Sequence, residues 1–312
     1  MTGALGCIGA WTIKALAERG DVAVVFDRSD DTRRLDAIMS PDAVDNVKFV
    51  YGDITQGVAL RDALEKSGAL RIIHLAGLQV PTCRADPVAG AMVNVVGTLN
   101  VFEAARAIGA ERVVYASSAA VFGLSEDDAP LDENAPVEPS THYGVFKKTN
   151  EGNARIYFLD HGLSSVALRP LTVYGVGRDT GLTSDPTVAI KEAVLGRSFH
   201  IRFSGPTDFI YVSDTAAAFI ECADHAPEGS HIFNLHGQTV EVSEFVRVAE
   251  DQLPVESRGL ISFGGPPIPI APAMNDAAIR SVIGYIERTP LDHGIRDTVE
   301  RFTRLRDEGR LE

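Results

Sequence analysis

Strand-length apolar runs alternate with helix-length segments through the first 170 residues, and that alternation restricts the fold more than any other feature. Val22-Ala-Val-Val-Phe26 is a continuous apolar run, as in a strand buried on both faces. Val47–Tyr51, Arg71–Leu75, Arg112–Ala116 and Ser165–Arg169 also read as strands. Between them lie helical stretches at Ile8–Arg19, Gly57–Ser67, Pro87–Ile108 and Thr141–His161. Strands separated by helices imply βαβ units, hence an α/β fold with a doubly wound parallel sheet. Beyond Pro170 glycine and proline become frequent and the elements shorten, until a last helical pattern from Leu291 to Arg306.

Charge and cysteine content narrow the class of partner. The 312 residues carry a net charge of −14 and a pI near 5.0, which disfavours phosphate backbones and anionic membrane surfaces. Three scattered cysteines (Cys7, Cys83, Cys222) show no metal-binding spacing and read as reduced packing residues of a cytoplasmic protein. The histidines show no ligand spacing either, so no metal is expected. No apolar run reaches the roughly 20 residues needed to span a bilayer, and the N-terminus lacks the pattern of a secretory signal.

Three motifs carry chemistry. Gly3, Gly6 and Gly9 form a GxxGxxG turn at a helix start, where backbone N–H groups and the helix dipole face an anion. Asp27 ends the following strand, where a carboxylate hydrogen-bonds an adenosine ribose and repels a 2′-phosphate. Arg28, next in the chain, could instead hold that phosphate, so the reading is NAD before NADP. Tyr143 and Lys147 stand one helical turn apart, so the ammonium is expected to lower the phenol pKa from about 10 and fit it for acid/base work. Ser117 and Ser118 follow the Arg112–Ala116 strand, at the sheet edge where such folds bind ligands.

Together these residues resemble the extended short-chain dehydrogenase/reductase family, the group of NAD-dependent epimerases and dehydratases. Matching stretches run along nearly the whole chain: Asp53-Ile54, His74-Leu75-Ala76-Gly77, Asn94, Leu168-Arg-Pro170, Val173-Tyr-Gly175, Asp208–Val212 and Thr289–Ile295. The resemblance implies Tyr143 as acid/base, Lys147 on the nicotinamide ribose, Ser118 on the substrate oxygen and Asn94 supporting its helix or a relay water. It also implies a cofactor lining of Gly3, Gly6, Cys7, Ile8, Gly9, Asp27, Arg28, Asp53, Ile54, Leu75, Ala76, Gly77, Tyr143, Lys147 and Pro170. Gln79, Ser117, His142, Thr172, Arg178 and Thr183 fall near the substrate. A homodimer through the helices 87–108 and 141–161 is implied as well.

Two departures bear on the substrate. Nucleotide-sugar members usually carry Asn in the place of Thr172 and Arg in the place of Thr207, both for the diphosphate. Losing two charge-assisted hydrogen bonds, at roughly 1.5–3 kcal/mol each, argues against a nucleoside diphosphate sugar. Arg178 could serve a smaller anion such as a carboxylate. The expected activity is therefore NAD-dependent oxidation of a secondary hydroxyl on a small carbohydrate-like or hydroxy-acid substrate. The alternative is a nucleotide-sugar epimerase or dehydratase resembling UDP-glucose 4-epimerase. A third reading is a non-catalytic NAD(P)-binding sensor.

The expected organisation is a dinucleotide-binding part at 1–175 and 208–238 and a smaller substrate-binding part at 176–207 and 239–312. The chain opens Met1-Thr2-Gly3, directly on the glycine turn. A turn of that kind follows a strand, so a start misplaced at an internal valine codon is one explanation. The expectation is a sheet lacking its middle member, at a cost in stability.

Overall fold

A computed structural model describes residues 1–124, 129–284 and 288–311. The strands are β1 (Val24–Asp27), β2 (Lys48–Tyr51), β3 (Arg71–His74), β4 (Arg112–Ala116), β5 (Ser164–Arg169), β6 (Thr172–Tyr174), β7 (Phe199–Ile201), β8 (Pro206–Tyr211), β9 (Ser230–Asn234), β10 (Gln238–Glu241) and β11 (Ile261–Phe263). The main layer runs β2-β1 and then β3-β4-β5-β9, all pairs parallel.

Alternating side chains of these strands are buried on both faces. Val113 and Tyr115 of β4 join one cluster with Phe102 and Leu60. Val114 joins another with Val166, Leu168 and Phe219. Helices accordingly cover both faces: Gly57–Ser67, Gly97–Ala107 and His142–His161 on one, Cys7–Glu18 and Val212–His225 on the other. This is the doubly wound arrangement that the apolar runs predict. Two smaller sheets, β10-β8-β6 and β11-β7, stand beside it with the helices Asp185–Val194, Val242–Gln252 and Leu291–Asp307. Their core centres on the aromatic rings of Tyr174, Phe209 and Phe245.

The main layer is interrupted between β1 and β3. Met1 and Thr2 reach only the end of this gap. Thr2 donates to the Ile73 carbonyl at 3.0 Å and accepts from the Leu75 N–H at 2.9 Å. On the other side Met1 accepts from the Phe26 N–H at 2.8 Å, and its terminal amine donates to the Val24 carbonyl at 2.7 Å. Behind them lies a cavity of about 470 Å³ flanked by Val24, Phe26, Leu64, Ile72 and Ile220. Burial pushes the Met1 amine pKa down to about 6.

One sequence expectation needs correction. The helical stretch Pro87–Ala107 is 21 residues long and holds an 18-residue window of mean hydropathy 1.4, long and apolar enough to cross a membrane by those measures alone. In the fold it packs against the helices Gly57–Ser67 and His142–His161 and against β3 and β4. Its middle, Met92–Val96, is a π-turn that contains Asn94.

Candidate active site

The glycine turn opens onto a cleft of about 560 Å³ at the carboxyl ends of the main strands. Gly3 has φ +64°, and a Cβ there would lie 2.3 Å from the backbone of Ala76. Only glycine lets these two segments approach so closely. The helix Cys7–Glu18 starts at Gly6 with no capping side chain, so its first N–H groups face the cleft. Twelve of the expected cofactor residues line this space: Gly3, Gly6, Cys7, Ile8, Gly9, Asp27, Arg28, Asp53, Ile54, Leu75, Ala76 and Gly77. Asp27 accepts from the backbone N–H groups of Leu5 and Ser29, both at 3.1 Å, and so ties the turn to the end of β1. Each carboxylate oxygen keeps a second lone pair for a ribose hydroxyl. A cradle without side chains, a helix start and a carboxylate at the strand end together fit a dinucleotide.

A second cavity of about 170 Å³ adjoins the cleft and shares Ile8, Leu75, Gly77, Gln79, Ala116 and Arg178 with it. Ser118, Tyr143, Lys147 and Pro170 line it. Ser118 and the Tyr143 phenol share this lining, and the serine hydroxyl favours the charged form of the phenol. The Lys147 ammonium lies 5.4 Å from the Tyr143 ring centre and donates to the Ala116 carbonyl at 2.7 Å. Thr141 caps this helix by accepting from the Gly144 N–H at 3.1 Å, which fixes where both side chains emerge.

The electrostatics correct the sequence reading of Tyr143. Its pKa is raised, because burial outweighs the Ser118 hydrogen bond and the field of Arg178. Burial also lowers Lys147, to about 8. The expected lowering by Lys147 does not arise, because the protein alone leaves both groups poorly solvated and favours their neutral forms.

Other expected site residues fall elsewhere. Ser117 borders the small cavity, but its hydroxyl donates to Glu151 at 2.6 Å. Glu151 is held in turn by a buried two-pronged contact with Arg169 at 2.7 and 2.8 Å. Thr172 is fully buried and shares one hydrogen bond with Thr207 at 2.8 Å, so it faces a neighbouring strand and neither cavity. His142 is exposed, stacks on Phe146 and borders neither cavity. Asn94 is buried behind the lining. It accepts from the Leu78 N–H and donates to the Leu78 carbonyl at 3.0 and 3.1 Å, and so positions the segment beside Gly77. Gln79, Arg178 and Thr183 do line the small cavity.

The sequence reading missed Arg34. Its guanidinium donates to the carbonyls of Leu5 and Gly177 and to Asp179, bridging the glycine turn to the loop that carries Arg178. No spacing rule marks an arginine 143 residues from its partner.

Comparison with known proteins agrees with this geometry. Residues 1–235 match the NAD dependent epimerase/dehydratase family. The chain is similar to a UDP-glucose 4-epimerase of Mycolicibacterium smegmatis, at 29% identity over 97% of each chain. It is 32% identical to one of Azospirillum brasilense over 80% of this chain and 76% of the relative. Among solved structures, the Thermus thermophilus UDP-glucose 4-epimerase complex with NAD superposes with TM-score 0.83 at 23% identity, covering 96% and 97% of the two chains. MoeE5 in complex with UDP-glucose and NAD does so with TM-score 0.82 at 28% identity over 97% of each chain. With the glycine cradle, the strand-end carboxylate and the Ser118–Tyr143–Lys147 set in one crevice, the chain belongs to the NAD dependent epimerase/dehydratase family and is an enzyme whose cofactor is NAD.

Proposed function

We propose that the protein is an NAD-dependent nucleotide-sugar epimerase that inverts a secondary carbinol. The observation that carries this reading is the Ser118–Tyr143–Lys147 set in the small cavity that adjoins the glycine-lined cleft. Tyr143 removes the hydroxyl proton while Ser118 fixes the oxygen, and the same phenol returns the proton on re-reduction. Lys147, held by the Ala116 carbonyl beside the Tyr143 ring, is placed to hold the ribose of the bound cofactor. NAD, when bound, supplies the hydride acceptor. The similarity to proteins named UDP-glucose 4-epimerase supports inversion over net oxidation.

A second reading is net oxidation of a small carbohydrate-like or hydroxy-acid substrate. The buried Thr172–Thr207 pair and the 170 Å³ cavity favour it, since both threonines are buried and neither brings a charged donor to a diphosphate. Incubation with NAD and UDP-sugars decides between them. Epimer formed without net NADH supports inversion, and NADH accumulating with one equivalent of ketone supports oxidation.

We also propose a cytoplasmic homodimer that leaves nucleic acid and membranes alone. Val88, Met92, Val145 and Leu159 are exposed on the helical stretches 87–107 and 142–161. Sedimentation as a monomer at micromolar concentration would overturn the dimer.

A further inference from the structure

Arg178 is the one arginine that lines the small cavity beside Tyr143. Its Nη2 donates to the Thr183 hydroxyl at 3.0 Å, and its Nη1 donates to the Gln79 amide oxygen at 3.2 Å when the Gln79 amide also donates to the Thr180 carbonyl. Its Nε is buried and has no partner. Among the described residues, no carboxylate lies within ion-pair distance of it. The adjacent Asp179 turns away and pairs with Arg34 at 2.7 Å. This is unusual in a chain of net charge −14, where most arginines have an acidic neighbour. A half-buried guanidinium held by two neutral groups keeps an unspent donor and an uncompensated charge, and an anion offsets both.

Geometry limits the anion. The cavity of about 170 Å³ is below the roughly 300–1,000 Å³ that encloses drug-sized ligands, so it takes one sugar-sized fragment. Leu171, Leu182 and Ile270 complete its wall, and among the described residues the other cation there is Lys147, which donates to the Ala116 carbonyl. Arg178 is also near enough to Tyr143 for its field to act on the phenol. We propose that Arg178 binds a carboxylate on the substrate, with Gln79 and Thr183 as positioning residues, so that the fragment inserted beside Tyr143 is a sugar acid. The inference rests on the acid/base role of Tyr143 proposed above. A free sugar acid and a nucleotide-linked uronic acid present the same group, and the test separates them.

The experiment uses the full chain with NAD and compares D-glucuronate, D-glucose, UDP-glucuronic acid and UDP-glucose, by turnover and by calorimetric binding. The expected result is that an acid is preferred to its neutral counterpart. Arg178→Met raises KM and Kd for that acid by roughly 30- to 100-fold, the range of a lost charge-assisted contact. The Kd for NAD changes less than twofold, and Arg178→Lys restores part of the loss. A preference for D-glucuronate identifies a free sugar acid, and one for UDP-glucuronic acid identifies the nucleotide-linked form. Equal use of acid and neutral sugar overturns the proposal. So does an Arg178→Met enzyme that binds NAD more weakly and loses acid and neutral substrates alike, because Arg178 then serves the cofactor. Arg178-dependent binding of an acid without turnover would leave this inference standing and remove the proposed function; turnover without acid preference does the reverse.

Discussion

The gap between β1 and β3 and the small cavity beside Tyr143 are both holes at the same sheet, and they differ in every respect except that. The gap is the larger, about 470 Å³ against 170 Å³, yet the charged residues that line it, Arg19, Arg71, Glu111 and Asp224, are spent on one another in ion pairs. The small cavity brings the hydroxyls of Ser118, Tyr143 and Thr183, an amine and a guanidinium together. Volume alone does not make a site. What distinguishes the cavity is a supporting layer: Asn94 behind Leu78, Thr141 under the Tyr143 helix, and the Glu151–Arg169 pair beneath Ser117. The gap is closed at its end by Met1 and Thr2, with His74 holding the Thr2 hydroxyl.

The sharpest way to break this contrast is Tyr143→Phe. Loss of the phenolic oxygen should cut kcat by about 10²–10⁴-fold while leaving the NAD dissociation constant within twofold. Unchanged turnover would remove Tyr143 from the chemistry. Next comes the supporting layer. Glu151→Gln leaves the buried Arg169 charge uncompensated and should lower stability by roughly 3–5 kcal/mol, read from urea midpoints. A loss under 1 kcal/mol would show that the pair is dispensable.

The gap should respond in the opposite sense, by gaining stability when filled. Adding Ile-Val-Ile-Val before Met1 offers four apolar side chains at about 1.5–3 kcal/mol each, against an ordering cost of about 1–2 kcal/mol per residue. Relative to a Gly-Ser-Gly-Ser extension, the expected gain is on the order of 2 kcal/mol in urea unfolding. No difference between the two extensions would mean that the gap does not accept a strand.

The same region sets a pH dependence. The Met1 amine titrates near 8 in the unfolded chain and near 6 when buried, so the unfolded chain binds more protons between those values. Stability therefore rises with pH across that window, by on the order of 2 kcal/mol. His74, hydrogen-bonded to Thr2 at 2.6 Å and to Thr98 at 3.0 Å, is pushed down to about 3 by burial. Its contribution is lost as pH falls from 6.5 toward 3. N-terminal acetylation should flatten the upper window and spare the lower one. The smallest effect belongs to His142→Ala, which should change kcat/KM by less than twofold because His142 borders neither cavity.

Much of this molecule was legible in one dimension. The continuous apolar runs marked strands covered on both faces, because a parallel layer flanked by helices leaves no polar side to its strands. Arg112–Ala116 and Gly57–Ser67 match their observed limits. The glycine turn, Asp27, and the Tyr143–Lys147 pair were visible for a similar reason: each function needs particular residue types at a short, fixed spacing. Of the later helix Val212–His225 only its start was marked, by the stretch Asp208–Val212 that leads into it.

Tertiary structure alone decided what the side chains do. Thr172 and Thr207 share a hydrogen bond only because β6 and β8 are neighbours. Ser117 is taken by Glu151, while the next serine faces Tyr143. The Tyr143 phenol is raised where helical spacing suggested lowering, because burial is a property of the assembled interior and helical spacing records only the nearest partner. Arg178 likewise stands without an acidic partner through the way its loop folds. Local periodicity fixes which elements form; hydrogen-bond partners and solvation depend on distances between segments far apart in the chain, and those exist only once the chain has folded.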